Sequence, residues 1–225
     1  MLVNFKVIAH MASPIAATGI IILDSVISAA KAKELLKDDY YAGSNIYGTK
    51  EQIDEWLSNL LDKQYGVYCA SIGVGDNREY VGSWCKRWYD KDDYIVNFEG
   101  KGKQRLDIGA GHYKNYHMPI VYKSYETITF YVRGDMKEVK RLLENNIYFL
   151  GKKSSQGYGQ IREWEFEEIE ENYSFWKDDK PMRPIPAKEC IEYIEKNKFC
   201  NMQQHPLIPP YWRQDNIELC LMPEV

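Results

Sequence analysis

The chain has 225 residues, 44% hydrophobic and 28% charged, with a formal net charge of −4. That length supports a real buried core, and that balance excludes a disordered chain, a collagen and a simple coiled coil. The net acidity argues against a generic nucleic-acid coat, which is usually basic overall.

No apolar run approaches the roughly 20 residues that cross a bilayer. The closest, Ile15 to Ala30, is interrupted by Asp24 and has neither a basic leader nor a cleavage site, so neither a signal peptide nor a membrane partner is expected. The five cysteines (Cys69, Cys85, Cys190, Cys200 and Cys220) are odd in number and form no C-x-x-C pair. Their spacing predicts a reduced, cytoplasmic protein with no disulfide framework, zinc site or other cofactor.

In chain order, Leu2 to Met11 reads as a strand, since Val3, Phe5, Val7 and Ala9 alternate with more polar neighbours until Ser13-Pro14. Ile22 to Leu36 reads as a helix. A loop rich in Tyr, Gly and Asn follows. Ile53, Trp56, Leu57, Leu60 and Leu61 then form one apolar helical stripe, with Thr49 and Gln52 at capping-box spacing before it. Tyr65 to Ile72 and Ser83 to Tyr89 read as strands, and Tyr94 to Tyr122 as loop or irregular hairpin. Thr127 to Arg133 is rich in β-branched and aromatic residues, a strand signal. After Gly134, Asp135 and Glu138 have cap spacing, and Met136, Val139, Leu142 and Leu143 supply a helical stripe ending near Asn146. A glycine-rich loop runs from Gly151 to Gly159. The next strand has Ile161, Trp164, Phe166 and Ile169 as its apolar positions and Glu163, Glu165 and Glu167 on its other face. The segment after residue 171 holds seven of the nine prolines. It reads as extended chain wrapped over the domain, with a short helix between Lys188 and Lys198.

This order suits one α+β domain, a ferredoxin-like antiparallel sheet with helices on one face. Its core would lie at about 1–72 and 124–170, with an insertion at about 73–123 and a C-terminal wrap at about 171–225.

Two stretches carry candidate chemistry. In the glycine loop, Gly151, Gly157 and Gly159 permit positive φ and close backbone approach. Lys152 and Lys153 set two cations beside backbone N–H groups, Ser154, Ser155 and Gln156 add short polar groups, and Tyr158 offers a ring. Together they make a plausible cradle for phosphate and base. The loop fits neither a Walker nor a dinucleotide pattern, and its plainer reading is a hairpin turn with solvated lysines. The second stretch, Trp84 to Tyr122, interleaves cations with rings: Lys86, Arg87 and Trp88, then Lys101, Lys103 and Arg105, then His112 to His117. Single-stranded nucleic acid is held by such mixtures; the plainer reading is a wet surface loop with its rings turned inward. Although the chain is acidic overall, residues 101–123 hold five Lys/Arg against one Asp, whereas residues 163–180 hold eight acids against two Lys.

The histidines His10, His112 and His117 could serve as proton-transfer groups, but no nucleophile–base pattern or carboxylate pair selects them, so no catalytic residue is assigned. The acidic strand face reads as solvated surface or as a contact for a basic partner, since a Mg²⁺ nuclease needs acids converging from separate elements.

The run VRGDMKEVKRLLENNIYFLGKKSSQGYGQIREWEF, with Gly151, Lys152, Lys153, Gly157, Tyr158 and Gly159 as its motif, resembles the RAMP superfamily of CRISPR-associated proteins. The opening HMASPIAATGIIILDSVISAA, including Leu23-Asp24, is similar to the subunit of type IV effector complexes that caps the 5′ handle of the guide RNA. The resemblance implies a ferredoxin-like (RRM-like) RAMP core and a non-enzymatic scaffold that grips the 5′ end of a CRISPR guide RNA. Its implied partners are the backbone and large subunits, with target DNA near the guide 5′ end as a further contact. Lys152 and Lys153 would pair with phosphates, loop N–H groups would reach them, and Tyr158 would stack. The alternative expectation is a metal-independent endoribonuclease that processes repeat RNA, as some RAMP relatives do.

Overall fold

The computed structural model describes the chain apart from residues 1, 17–18, 42–49, 90, 93–106, 198, 213–215 and 225, and apart from the side chains of residues 39, 41 and 50. It is a mixed α+β protein with antiparallel sheets and four α-helices among the described residues. The main sheet has β1 (Val3–Met11) at its centre, with β6 (Thr127–Gly134) on one side and β7 (Ile161–Glu168) on the other, both antiparallel. A fourth position is filled by chain near residues 70–74, which joins the outer edge of β6 only through isolated bridges, Ala70 to Val132 and Val74 to Thr129. The resulting order, β7–β1–β6–edge, is that of a ferredoxin-like sheet.

α1 (Leu23–Leu36) and α3 (Met136–Asn146) cover one face of this sheet. Strand alternation sends Phe5, Val7, Ala9 and Met11 inward, where they meet Ile128, Phe130 and Val132 of β6. Leu23, Ile27 and Ala30 of α1 and Val139, Leu142 and Leu143 of α3 close the core from above. Each large side chain in it contributes roughly 1.5–3 kcal/mol by leaving water. The cap spacing at α3 is realised, as the Asp135 side chain accepts from the Glu138 N–H at 3.1 Å. Arg141 ties α3 to α1 through Glu34. α2 (Lys50–Ser58) adds Ile53 and Leu57 to the core, while Thr49 lies outside the described residues.

The predicted strand at 65–72 is broken into β2 (Lys63–Gln64) and β3 (Val67–Tyr68), a small hairpin, followed by the bridged edge segment. The stretch expected to be mostly loop holds a long strand. β4 (Asn77–Lys86) and β5 (Tyr116–Tyr125) pair over ten positions as a two-stranded ribbon leading out of the sheet. Pro119 disguises β5, because proline cannot donate to a ladder. It is tolerated opposite Ser83 because a two-stranded ribbon has free outer edges.

The C-terminal wrap is more ordered than extended chain. β8 (Trp176–Lys177) and β9 (Lys180–Pro181) form a hairpin. β10 (Ile185–Pro186), β12 (Ile217–Leu221) and β11 (Met202–Pro206) make a second, three-stranded sheet, and α4 (Ile191–Lys196) is the expected short helix. This region has its own apolar cluster, including Phe175, Ile185, Cys190 and Leu221 packed on Val67 and Cys69. It is pinned by Arg183, which is 1% exposed and donates to the Tyr68 and Ala70 carbonyls and to Asp24. Asp24, fully buried in the first turn of α1, also accepts from the Tyr211 hydroxyl at 2.7 Å.

Candidate nucleic-acid interface

The glycine loop links α3 to β7, and its shape follows from backbone chemistry. Gly151, Lys153, Gly157 and Gly159 all have φ between +65° and +84°. Only glycine adopts that region freely, and Lys153 does so at a cost. Between them Ser154–Gln156 forms a 3₁₀ turn. The Leu150 N–H donates to Gly159 O at 2.8 Å and closes the loop. A Cβ on Gly159 would overlap the Leu150 carbonyl, so this position demands glycine.

The loop is fastened to the segment after β1. Lys152 N–H donates to Ala16 O, Gly159 N–H to Pro14 O, and Gln160 N–H to the Ser13 hydroxyl, at 2.7 to 2.9 Å. These bonds correct one expectation. The N–H groups of Lys152, Gln156, Gly157, Tyr158 and Gly159 are all used within the fold, so a phosphate would meet chiefly the turn at 153–155 and the lysine side chains. Gly151 to Ser155 and Gly157 are exposed, and Tyr158 is half-buried. The Gln156 side-chain oxygen is buried without a hydrogen-bond partner among the described residues.

The ribbon brings its rings to this loop. Cross-strand pairing places Tyr80 opposite Tyr122, Trp84 opposite Met118 and Lys86 opposite Tyr116, all on one face by alternation. Lys153 Nζ sits 5.4 Å from the Trp84 ring centroid. Tyr158 lies 5.7 Å from Tyr122, which stacks on Tyr80 at 5.5 Å. Trp84 is fixed by donating its indole N–H to the Tyr116 hydroxyl at 2.6 Å. Loop and ribbon therefore share one cationic and aromatic surface, although they are far apart in sequence.

Further along, Lys86 donates to the His112 carbonyl and lies near the Tyr113 ring. His112 meets Tyr113 edge-on. Arg87 and Trp88 follow the end of the β4–β5 ladder, and Trp88 packs edge-on to Tyr113 at 5.4 Å. His117, opposite Cys85, belongs to the other register of the ribbon from Trp84. Lys101, Lys103 and Arg105 lie outside the described residues. Tyr80, Trp84, Tyr116 and Tyr122 were not among the individual candidates. The alternation Arg78, Tyr80, Gly82, Trp84, Lys86 was the signal that could have found them.

The open face of the main sheet has the opposite character. Glu163, Glu165 and Glu167 line up beside His10, Ile8 and Lys6, with Lys6–Glu167 at 2.6 Å and His10–Glu165 at 2.8 Å. A carboxylate row repels a polyanion, so the cationic and aromatic surface of loop and ribbon is the stronger candidate for one. The described residues contain no group of His, Cys, Asp or Glu able to hold a metal ion. Burial pushes the thiols of Cys69, Cys190 and Cys220 up to about 11, which makes them poor nucleophiles. No helix among the described residues is long and apolar enough to cross a membrane.

The family model described as CRISPR type IV associated protein Csf3 matches residues 3–223 of this chain. No curated protein matches it.

Proposed function

The chain belongs to the Csf3 family of type IV CRISPR-associated proteins, and we propose that it is the non-enzymatic subunit that grips the 5′ handle of the guide RNA. The observation that carries this reading is the joint surface of loop and ribbon. Lys152 and Lys153 supply sequence-blind phosphate contacts, and Trp84, Tyr122 and Tyr158 supply faces on which unpaired bases stack. The remaining surface is left to protein partners, the backbone and large subunits of the complex, with target DNA near the guide 5′ end as a further contact.

The test is a filter-binding titration of a guide-handle RNA at fixed salt with Lys152→Glu/Lys153→Glu. Affinity is expected to fall roughly tenfold or more for every RNA sequence, as charge-assisted contacts of about 1.5–3 kcal/mol are replaced by repulsion. Unchanged affinity removes the loop from the function.

One observation favours a second reading, a metal-independent endoribonuclease. His10 Nε2 is paired with Glu165 at 2.8 Å, near the end of β1 that precedes the segment bonded to the glycine loop, and a carboxylate can orient a histidine for proton transfer. Site-specific cleavage of repeat RNA in EDTA, lost in His10→Ala, would support it; intact RNA excludes it.

A further inference from the structure

The ring side of the β4–β5 ribbon carries a row of tyrosines whose end is open. Tyr122 meets two other rings: Tyr158 of the glycine loop at 5.7 Å, tilted by 54°, and Tyr80 across the ladder at 5.5 Å, stacked within 20° of parallel. Gly82 makes room for this arrangement. A Cβ there would stand 3.0 Å from Tyr122 Cε1, so the ring leans over a strand position that carries no side chain. Tyr80 ends the row. It is 43% exposed, and no second ring packs on it among the described residues. β4 pairs only with β5, which supplies Tyr122, so the other face of Tyr80 looks toward the unpaired edge of the ribbon.

A cation stands beside that face. Arg78 is exposed and precedes Tyr80 by two residues, so alternation puts both side chains on the same side of β4. Two residues span about 6.7 Å of strand, roughly the reach between a base and its adjoining phosphate. Arg133, Arg141, Arg162 and Arg183 each meet a carboxylate, whereas Arg78 has no ion-pair partner among the described residues. A guanidinium is planar and weakly hydrated, and one without a carboxylate is ready to meet a phosphate. A ring already backed by a second ring loses little further freedom when a base stacks on its open face.

We propose that Tyr80 takes one unpaired base of the bound single strand on its outer face, with the adjoining phosphate at Arg78. The strand leaves the glycine loop across the ring row and passes over the free edge of β4. The inference rests on the RNA-binding reading above and adds to it a stacking position and a phosphate contact outside the loop.

Fluorescence anisotropy with a labelled oligouridylate, and with the same backbone made abasic, tests this on the full chain. Tyr80→Leu keeps an apolar side chain and removes the ring. It is expected to weaken the base-bearing strand roughly five- to hundredfold, the weight of one base stack, and to leave the abasic strand unchanged, while Tyr80→Phe binds both strands as wild type does. Arg78→Gln is expected to weaken both strands and to lower the salt slope by about 0.7; an unchanged slope removes Arg78 from the contact. Equal affinities of wild type and Tyr80→Leu for the base-bearing strand, or an equal loss on both strands, overturn the stacking position. If Lys152→Glu/Lys153→Glu still abolishes binding in that case, the loop reading stands without it. Should neither variant change anything, both fall. Photocrosslinking of 4-thiouridine oligomers to the wild-type chain needs no variant to fold. A crosslink at Tyr80 supports the position, and crosslinks confined to other segments overturn it.

Discussion

Lys153 Nζ lies 5.4 Å from the centre of the Trp84 ring, and this contact joins the glycine loop to the ribbon. A cation over an indole face is worth about 0.5–1 kcal/mol at an exposed site. Its larger effect is to hold a positive charge beside an aromatic face.

The two residues should therefore contribute differently to RNA binding. Lys153→Ala is expected to lower the salt dependence of binding by about 0.7 in slope, one phosphate contact on a single strand. Trp84→Ala should weaken binding by about 1–3 kcal/mol with little change in slope, because stacking releases no counterions. Titrations at four salt concentrations separate the two, and identical slope changes would contradict the assignment.

The loop geometry is testable at Gly159. With φ of +74° and the Leu150 carbonyl in the way of a Cβ, Gly159→Ala must move the backbone or break the closing bond. A loss of roughly 2 kcal/mol or more in urea unfolding is expected, together with weaker RNA binding. Gly157→Ala, where a Cβ meets nothing within 4 Å, should cost less, because only its φ of +84° is strained.

Asp24 and Arg183 form a buried pair 3.3 Å apart. Burial pushes the Asp24 carboxyl upward, against the opposing pull of Arg183 and Tyr211. Arg183→Met should cost about 3–5 kcal/mol at pH 8 by leaving a buried charge uncompensated. A carboxyl whose folded pKa is raised binds its proton more tightly in the fold, so stability falls as pH rises from the unfolded pKa through the folded one. The variant should be less damaged at pH 5, where Asp24 can take up a proton. Urea unfolding at both pH values decides this, and an equal loss would count against the pair.

Glu34 gives the opposite pH sign. Hydrogen bonds from Arg141 and Lys31 hold its carboxyl down at about 2. Its stabilising effect is complete above the unfolded value near 4.5 and is lost as pH falls toward 2. Glu34→Gln should melt lower than wild type at pH 6, with the difference shrinking steadily between pH 4.5 and 2. A constant difference across that window would show that the α1–α3 contact does not depend on the charge.

Much of the scaffold was legible in the residues themselves. The alternation in β1 and β6, the stripe of α3 with its Asp135 cap, and the glycines of the 151–159 loop are local signals, set by side-chain period and backbone sterics within a few residues. β5 was not legible, because Pro119 and the mixed polarity of Tyr116–Tyr125 hide the strand until β4 pairs with it. The acidity of Glu163, Glu165 and Glu167 was visible, yet only the sheet register showed that it forms the open face beside β1.

By itself, then, the sequence determined β1, β6, β7 and the helices that cover them, the cationic glycine loop and the family resemblance, since each depends on neighbours along the chain. Only the tertiary structure decided that Lys153 meets Trp84, that Arg183 reaches Asp24 across the core, and that the N–H groups of Lys152 and Gly159 are already engaged by the segment after β1. Those facts depend on which distant residues are brought together when the sheet and ribbon form, and no local pattern encodes that distance.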